Sequence, residues 1–275
     1  MGNTALRSGL FPAQLKYWRN QRGLSQLDFS LVAEVSARHI SFLETGRASP
    51  SRDMVLRLGA ALAVPLRDQN RLLRAAGFDA HFDEETPSVP AIVRDVLTRM
   101  MKQHEPYPMV VVDRCYNLVE MNQGASALIT RFVSDPGAAT PPLNLLHMLF
   151  DPRLSRPFVQ DWETLAGFLL SRVHQELLLR GDDAELRSLL GELLSFEDVP
   201  EDWRQPDFAT GGDPVFMTRL KRDEYALAFA STLTHFSGPQ AVMLEELRIE
   251  SFFPLDDETE AFCEGLRDSS SRAST

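Results

Sequence analysis

Apolar residues recur at three- and four-residue spacing through the first eighty positions, and the polar residues between them are of the kinds that begin and end helices. Ser25 can satisfy an orphan backbone N–H, and Leu27, Leu31 and Val32 follow on one face, which predicts a helix over about 26–33 with those three inward. Glu34 and Val35 form a break. Ser36 then caps a second short helix whose inward positions are Ile40 and Leu43, and Gly46 stands where a left-handed residue would end it. Ser51, after Pro50, opens a helix carrying Met54, Val55, Leu58 and Leu62. Upstream, Pro12 opens a first helix with Leu15 and Trp18 inside, closing at Gly23, and a fifth runs over 66–76 to Gly77. Two short helices joined by a tight turn within a five-helix bundle are the layout of a helix-turn-helix, whose partner is duplex DNA.

The pattern changes after residue 90. A helical period over 91–103 gives way to two short apolar runs, PMVVVD (108–113) and NLVEM (117–121), separated by RCY, which suits a hairpin. Asn122 caps a helix through Phe132; a Pro- and Gly-bearing loop leads to helical stretches over 143–150, 161–180 and 183–194. Three β-prone runs close the domain, over 215–221, 225–236 and 241–252. Strand pair, helices, then three strands is an α+β order, accommodated by a five-stranded antiparallel sheet with helices packed on one face.

Charge divides the chain in the same place. Residues 1–80 hold eleven Lys and Arg against six Asp and Glu, whereas the remainder holds seventeen against thirty-three. A basic head can meet a polyanion that the acidic body repels. The segment 79–90, with four carboxylates and two prolines in FDAHFDEETPSVP (78–90), reads as a linker between a DNA-binding domain (1–78) and a second domain (91–267), and 268–275 as a disordered tail. Without a long apolar run or a charged-then-apolar leader, neither membrane nor secretion is expected, and two distant cysteines suit reduced thiols in a cytoplasm.

The spacing LSQ…VS…ISFLETGRASPS…VLRLGAAL resembles the xenobiotic-response-element type of helix-turn-helix, shared with lambdoid phage repressors, over about 10–77. That resemblance implies a pair between Arg19 and Glu44, phosphate contacts from Gln26, Ser36 and Arg47, and an outward face of Ala37, Arg38, His39, Ser41 and Phe42 on the recognition helix. Arg38 is the expected base reader, since a guanidinium grips guanine O6 and N7 with two hydrogen bonds. The element order after residue 90 is that of a PAS domain, and PMVVVDRCYNLVEMNQGASAL, NLLHMLFDPRL and DWETLAGFLLSRV make the whole chain similar to the MmyB-type bacterial regulators. The resemblance implies a sensory domain that binds a small molecule.

Met100, Met101, Met121, Met148 and Met217, with several phenylalanines, supply a large apolar inventory, and Ala226, Ala228 and Ala230 alternate along one strand. Such a face leaves either close helix packing or a cavity; taken with the implied sensory role, it suggests a long apolar ligand such as a fatty acid. Met121, Leu128, Phe132, Met148, Phe150, Phe168, Met217 and Phe229 are the expected walls, with Asn122, Arg131 and His147 as candidates for its head group. No metal or cofactor motif is present, although haem through one of the histidines stays open. No nucleophile, base and orienting acid stand together, so an enzyme is not expected. A homodimer reading two half-sites is expected, the alternative to a ligand sensor being a ligand-free dimerisation or protein-interaction module.

Overall fold

The computed structural model describes residues 10–84, 89–180, 183–204, 217–239 and 241–272. The chain divides into two compact units, Met1–Pro87 with Ser237–Glu245, and Ser88–Phe236 with Glu246–Thr275.

The first unit is a helical bundle: α1 (Leu10–Gln21), α2 (Gln26–Ala33), α3 (Ala37–Glu44), α4 (Arg52–Ala61) and α5 (Leu66–Ala75). The sequence punctuation is realised in hydrogen bonds. The Ser25, Ser36 and Ser51 hydroxyls accept from the amides of Asp28, His39 and Met54, and Glu34 turns left-handed at φ 54° between α2 and α3. Gly46, at φ 70°, ends α3 as expected. Leu15, Trp18, Phe29, Ile40, Leu43, Val55, Leu58 and Leu72 form the core.

One face is reversed. Leu27, Leu31 and Val32, expected inward, are 62%, 71% and 57% exposed, while Phe29, Ser30 and Ala33 are buried. Both sets have helical spacing, so periodicity could not choose between them. The hydroxyl of Ser30 donates to the Leu27 carbonyl at 2.7 Å, which makes its burial inexpensive.

Residues 79–84, expected within the linker, are held in place instead. The fully buried Asn70 of α5 donates to the Phe82 carbonyl at 2.7 Å and accepts from the amides of His81 and Phe82, and Asp83 bridges to Ala241. Residues 85–88 lie outside the described residues. Glu245 accepts from the Leu66 amide at 2.8 Å, supplying the carboxylate cap that Pro65 cannot give the N-terminus of α5.

The second unit contains α6 (Ala91–His104), β1 (Met109–Val112), β2 (Leu118–Met121), α7 (Gln123–Arg131), α8 (Leu145–Phe150), α9 (Trp162–Arg180), α10 (Ala184–Leu193), β3 (Met217–Arg222), β4 (Tyr225–Thr234), β5 (Arg248–Pro254) and α12 (Asp257–Arg272). The strands make a five-stranded antiparallel sheet in the order β2-β1-β5-β4-β3.

Two expectations are corrected here. The run 241–252 is not one strand: α11 (Val242–Glu246) occupies its first half and β5 its second, a confusion that short apolar runs permit. Helix α12 continues to Arg272, through residues assigned to the tail; 273–275, and the expected strand start at 215–216, lie outside the described residues.

Register decides which side chains share a face. Val110 opposes both Met121 and Glu250, and Leu220 opposes Leu227, so Val110, Leu220, Leu227, Phe229, Glu250 and Phe252 stand on one side of the sheet. Against that side pack Phe132, Leu146, Phe150, Leu165 and Leu169 in a single core. The alanines of β4 point the other way. Their backbone is approached by α12, the amides of Ala226 and Ala228 donating to the side chains of Glu258 and Thr259.

Candidate functional site

In the first unit, α3 presents Ser36 and Arg38 exposed, with Ala37, His39, Ser41 and Phe42 half-buried, and Arg47 exposed just beyond. The Arg38 guanidinium lies 5.3 Å from the Phe42 ring centroid, and neither Arg38 nor Arg47 forms an ion pair among the described residues. The ring steadies a cation that remains available to an outside acceptor. Behind this face Glu44 accepts from Arg19 Nε at 2.6 Å and Nη2 at 3.1 Å, and from Gln26 Nε2 at 2.8 Å, while Arg19 Nη1 reaches the Leu24 carbonyl at 2.6 Å. The implied Arg19–Glu44 pair is therefore present, and it also fixes Gln26 at the start of α2. Its hydrogen bond to Glu44 raises the Arg19 pKa above the ordinary arginine value, ahead of the opposing effect of burial.

In the second unit, α7, α8, α9 and the sheet enclose a cavity of about 80 Å³. Its walls are Val110, Leu128, Ile129, Phe132, Leu145, Met148, Leu165, Leu169, Leu220 and Phe252, and its polar members are Ser155, Arg172, Thr218 and Glu250. Of the eleven residues expected around a ligand, Leu128, Phe132 and Met148 line it.

The other eight are elsewhere. Phe150 and Phe229 sit deeper in the core, the first against Trp162 and the second behind Phe252. Met121 packs against that core from the edge strand, Phe168 is 41% exposed, and Met217 lies beside Arg219. The head-group candidates are all engaged in other work. Asn122 accepts from the amides of Met109 and Ala125 and donates to the Tyr107 carbonyl; Arg131 stacks over Tyr225 and pairs with Asp223; His147 meets Glu192 at 3.2 Å.

The charged wall comes from residues the sequence reading passed over. Arg172 and Glu176 of α9 and Arg248 and Glu250 of β5 surround Tyr116, whose hydroxyl accepts from Arg172 Nε at 2.8 Å and donates to Glu176 Oε1 at 2.9 Å. Arg248 Nη2 donates to Glu176 Oε2 at 2.5 Å, and Arg172 Nη2 stands 3.8 Å from Glu250 Oε2. Both guanidinium carbons lie 4.9 Å from the Tyr116 ring centroid, so the phenol is held between two cations. Burial pushes the Tyr116 hydroxyl up to about 12 and raises the Glu250 carboxyl against the pull of Arg172 and Ser231. Burial also opposes the charge of Arg172, but Tyr116 and Glu250 outweigh it. The thiols of Cys115 and Cys263, raised by burial to about 11 and about 12, are neutral at ordinary pH.

A signal for this wall was available. Leu165, Leu169, Arg172 and Glu176 follow one helical stripe, and Arg248, Glu250 and Phe252 one strand face, so opposite charges interrupt two inward-facing patterns.

Comparison with known proteins accords with both units. Residues 15–69 match a helix-turn-helix family, and residues 93–266 match the MmyB-like transcription regulator ligand binding domain. No curated protein matches. A solved structure described as an RNA-binding light-oxygen-voltage receptor shares 14% identity over 94% of this chain and 65% of that one. This chain thus spans 65% of that protein's length, and a TM-score of 0.24 gives the likeness no weight. With the ligand-binding match covering well over half of its length behind a helix-turn-helix, the chain belongs to the MmyB-like transcription regulators.

Proposed function

We propose that this ligand-responsive transcription regulator reads its operator through α3 and senses an apolar small molecule, a fatty acid or acyl derivative, in the cavity beneath the sheet of a PAS-like domain. The observation that carries the reading is an apolar cavity with a confined charged wall inside a domain matched to a ligand-binding family. Gln26, Ser36 and Arg47 meet phosphates, and Ala37, Arg38, His39, Ser41 and Phe42 face the bases. Support for this comes from Arg38 of α3 and Arg47 beyond it, both exposed and without an ion pair among the described residues, and from the helix-turn-helix match. The protein acts as a homodimer on two half-sites, in the cytoplasm; no described helix is long and apolar enough to cross a membrane.

The cavity, at about 80 Å³, is well below the roughly 300–1,000 Å³ of ready-made sites for drug-sized ligands. A long acyl chain therefore requires side chains of α7 and α8 to part. The same small volume favours one other reading, a ligand-free interaction module. Mass spectrometry of the denatured, purified protein separates the two: an extracted acyl compound supports the sensor. Operator affinity is then measured from empty to saturated protein. A change of about 5- to 150-fold is expected, and a constant affinity overturns ligand control.

A further inference from the structure

Helix α6 hides little of its apolar surface. Of its fourteen residues only Leu97 and Met101 are buried, while Ile92 is 76% and Val96 41% exposed and Met100 is half-buried. Ile92, Val96, Met100 and His104 stand four apart and form one row along the helix, a ridge of about 18 Å at 1.5 Å per residue. The row continues onto the sheet. The His104 ring centroid lies 5.0 Å from that of Phe253. Phe253 follows Phe252, which lines the cavity, so it points to the other side of the sheet, where it is 42% exposed.

The charges of α6 differ from those of the chain around it. It carries Arg94, Arg99 and Lys102 against Asp95, in the stretch beyond residue 80 where Asp and Glu outnumber Lys and Arg by thirty-three to seventeen. Two acidic bodies repel each other, and they do so least where a basic helix is the surface on which they meet. Asp95 and Arg99 flank the apolar row on the same side. Both are exposed, and neither has an ion pair among the described residues.

We propose that this ridge is the two-fold seam of the homodimer: α6 of one copy crosses α6 of a second near Val96, and Asp95 of each meets Arg99 of the other. The proposal rests on the homodimer reading and adds the surface that builds it. A two-fold contact needs a patch that complements itself, and one acid and one base beside an apolar row do so when the second helix runs antiparallel. Ridges of i,i+4 spacing on two identical helices interdigitate at about −50°. A partner of a single charge sign satisfies only one of the two flanking residues. A stable interface buries about 1,200 Å² or more in total, so the seam extends from the ridge onto Phe253 and the sheet face around it.

The test is sedimentation velocity of the full chain over a range of concentrations. Val96→Glu places two carboxylates in the seam and is expected to raise the dimer dissociation constant by about a hundredfold or more, with an unchanged circular-dichroism spectrum because the position is exposed. Asp95→Arg and Arg99→Asp each set like charges together twice and should weaken the dimer about tenfold, whereas the two changes in one chain recover most of that loss. A dimer indifferent to Val96→Glu, or single charge changes that the double change does not rescue, overturns the seam and leaves the homodimer standing. A chain that stays monomeric at every concentration overturns both. A monomer that binds phosphatidylglycerol vesicles, and is released from them by Val96→Glu, assigns the ridge to a membrane surface and likewise overturns both.

Discussion

Glu44 does two jobs with one carboxylate. It neutralises Arg19 through a two-point contact and orients Gln26, with 2% of its side chain exposed. Removing one member of such a pair strands the other charge in the bundle, which costs about 3–5 kcal/mol. Glu44→Ala is thus expected to lower the unfolding free energy of the N-terminal unit by that amount, read as a shift in the urea midpoint, and a change below about 1 kcal/mol refutes the buried-pair account. Arg38 belongs to the opposite case, since it faces outward and pairs with nothing in the described chain. Arg38→Ala should leave stability unchanged and relax discrimination at one base pair by about 1–3 kcal/mol. An equal loss on every operator variant assigns Arg38 to phosphate instead.

Helix ends were legible because each is written in one or two side chains: Ser25, Ser36, Ser51 and Asn122 all cap as their positions suggested, while Asp183, read as the first residue of its helix, is that helix's cap. Helix faces were less so. In α2 two apolar sets share the helical period, and only the neighbours with which Phe29 packs break the tie. The cavity was legible in kind but not in place, because strand alternation gives two faces and the alanines of β4 stand on the face opposite the one that carries Leu227 and Phe229 and bounds the core. Backbone proximity was invisible altogether. A Cβ on Gly124, near the start of α7, would stand 2.3 Å from the Pro106 carbonyl oxygen, and the Gln123 and Gly124 amides donate to Glu105 at 2.7 and 3.1 Å. The helix is seated directly on the chain before β1. Gly124→Ala must therefore push α7 off that seat, costing about 1–3 kcal/mol, and because α7 carries Leu128 and Ile129 it should also weaken ligand binding. Gly191 of α10 is the control, having no heavy atom within 4 Å of an added Cβ. Gly191→Ala should raise the melting temperature slightly, by the equivalent of about 0.5–1 kcal/mol of helix propensity. If both variants melt alike, the close seat of α7 is not a constraint.

At the scale of the molecule, a recognition helix of eight residues touches too few base pairs to select one site in a genome, and this is the physical ground for the homodimer proposed above. The acidic balance beyond residue 80 makes non-specific adhesion by the rest of the chain unfavourable, which leaves the N-terminal unit as the part that meets the duplex. Two copies joined as a homodimer then have a fixed separation, and half-sites about 34 Å apart on the same side of the duplex suit them. That geometry has a measurable consequence once an operator is in hand. Inserting about five base pairs between the half-sites turns one to the opposite side of the helix and should reduce affinity to that of a single half-site, a loss of about tenfold or more. Inserting about ten restores the facing and lengthens only the gap, so affinity should recover in part. A monomer that reads one site would be indifferent to both insertions. Loss that grows steadily with insert length, without the alternation, would instead indicate a rigid dimer that tolerates no change of spacing. The two-fold arrangement is therefore tested by the periodicity of the response, and ligand added at each spacing shows whether occupancy alters the separation of the recognition helices or only their affinity.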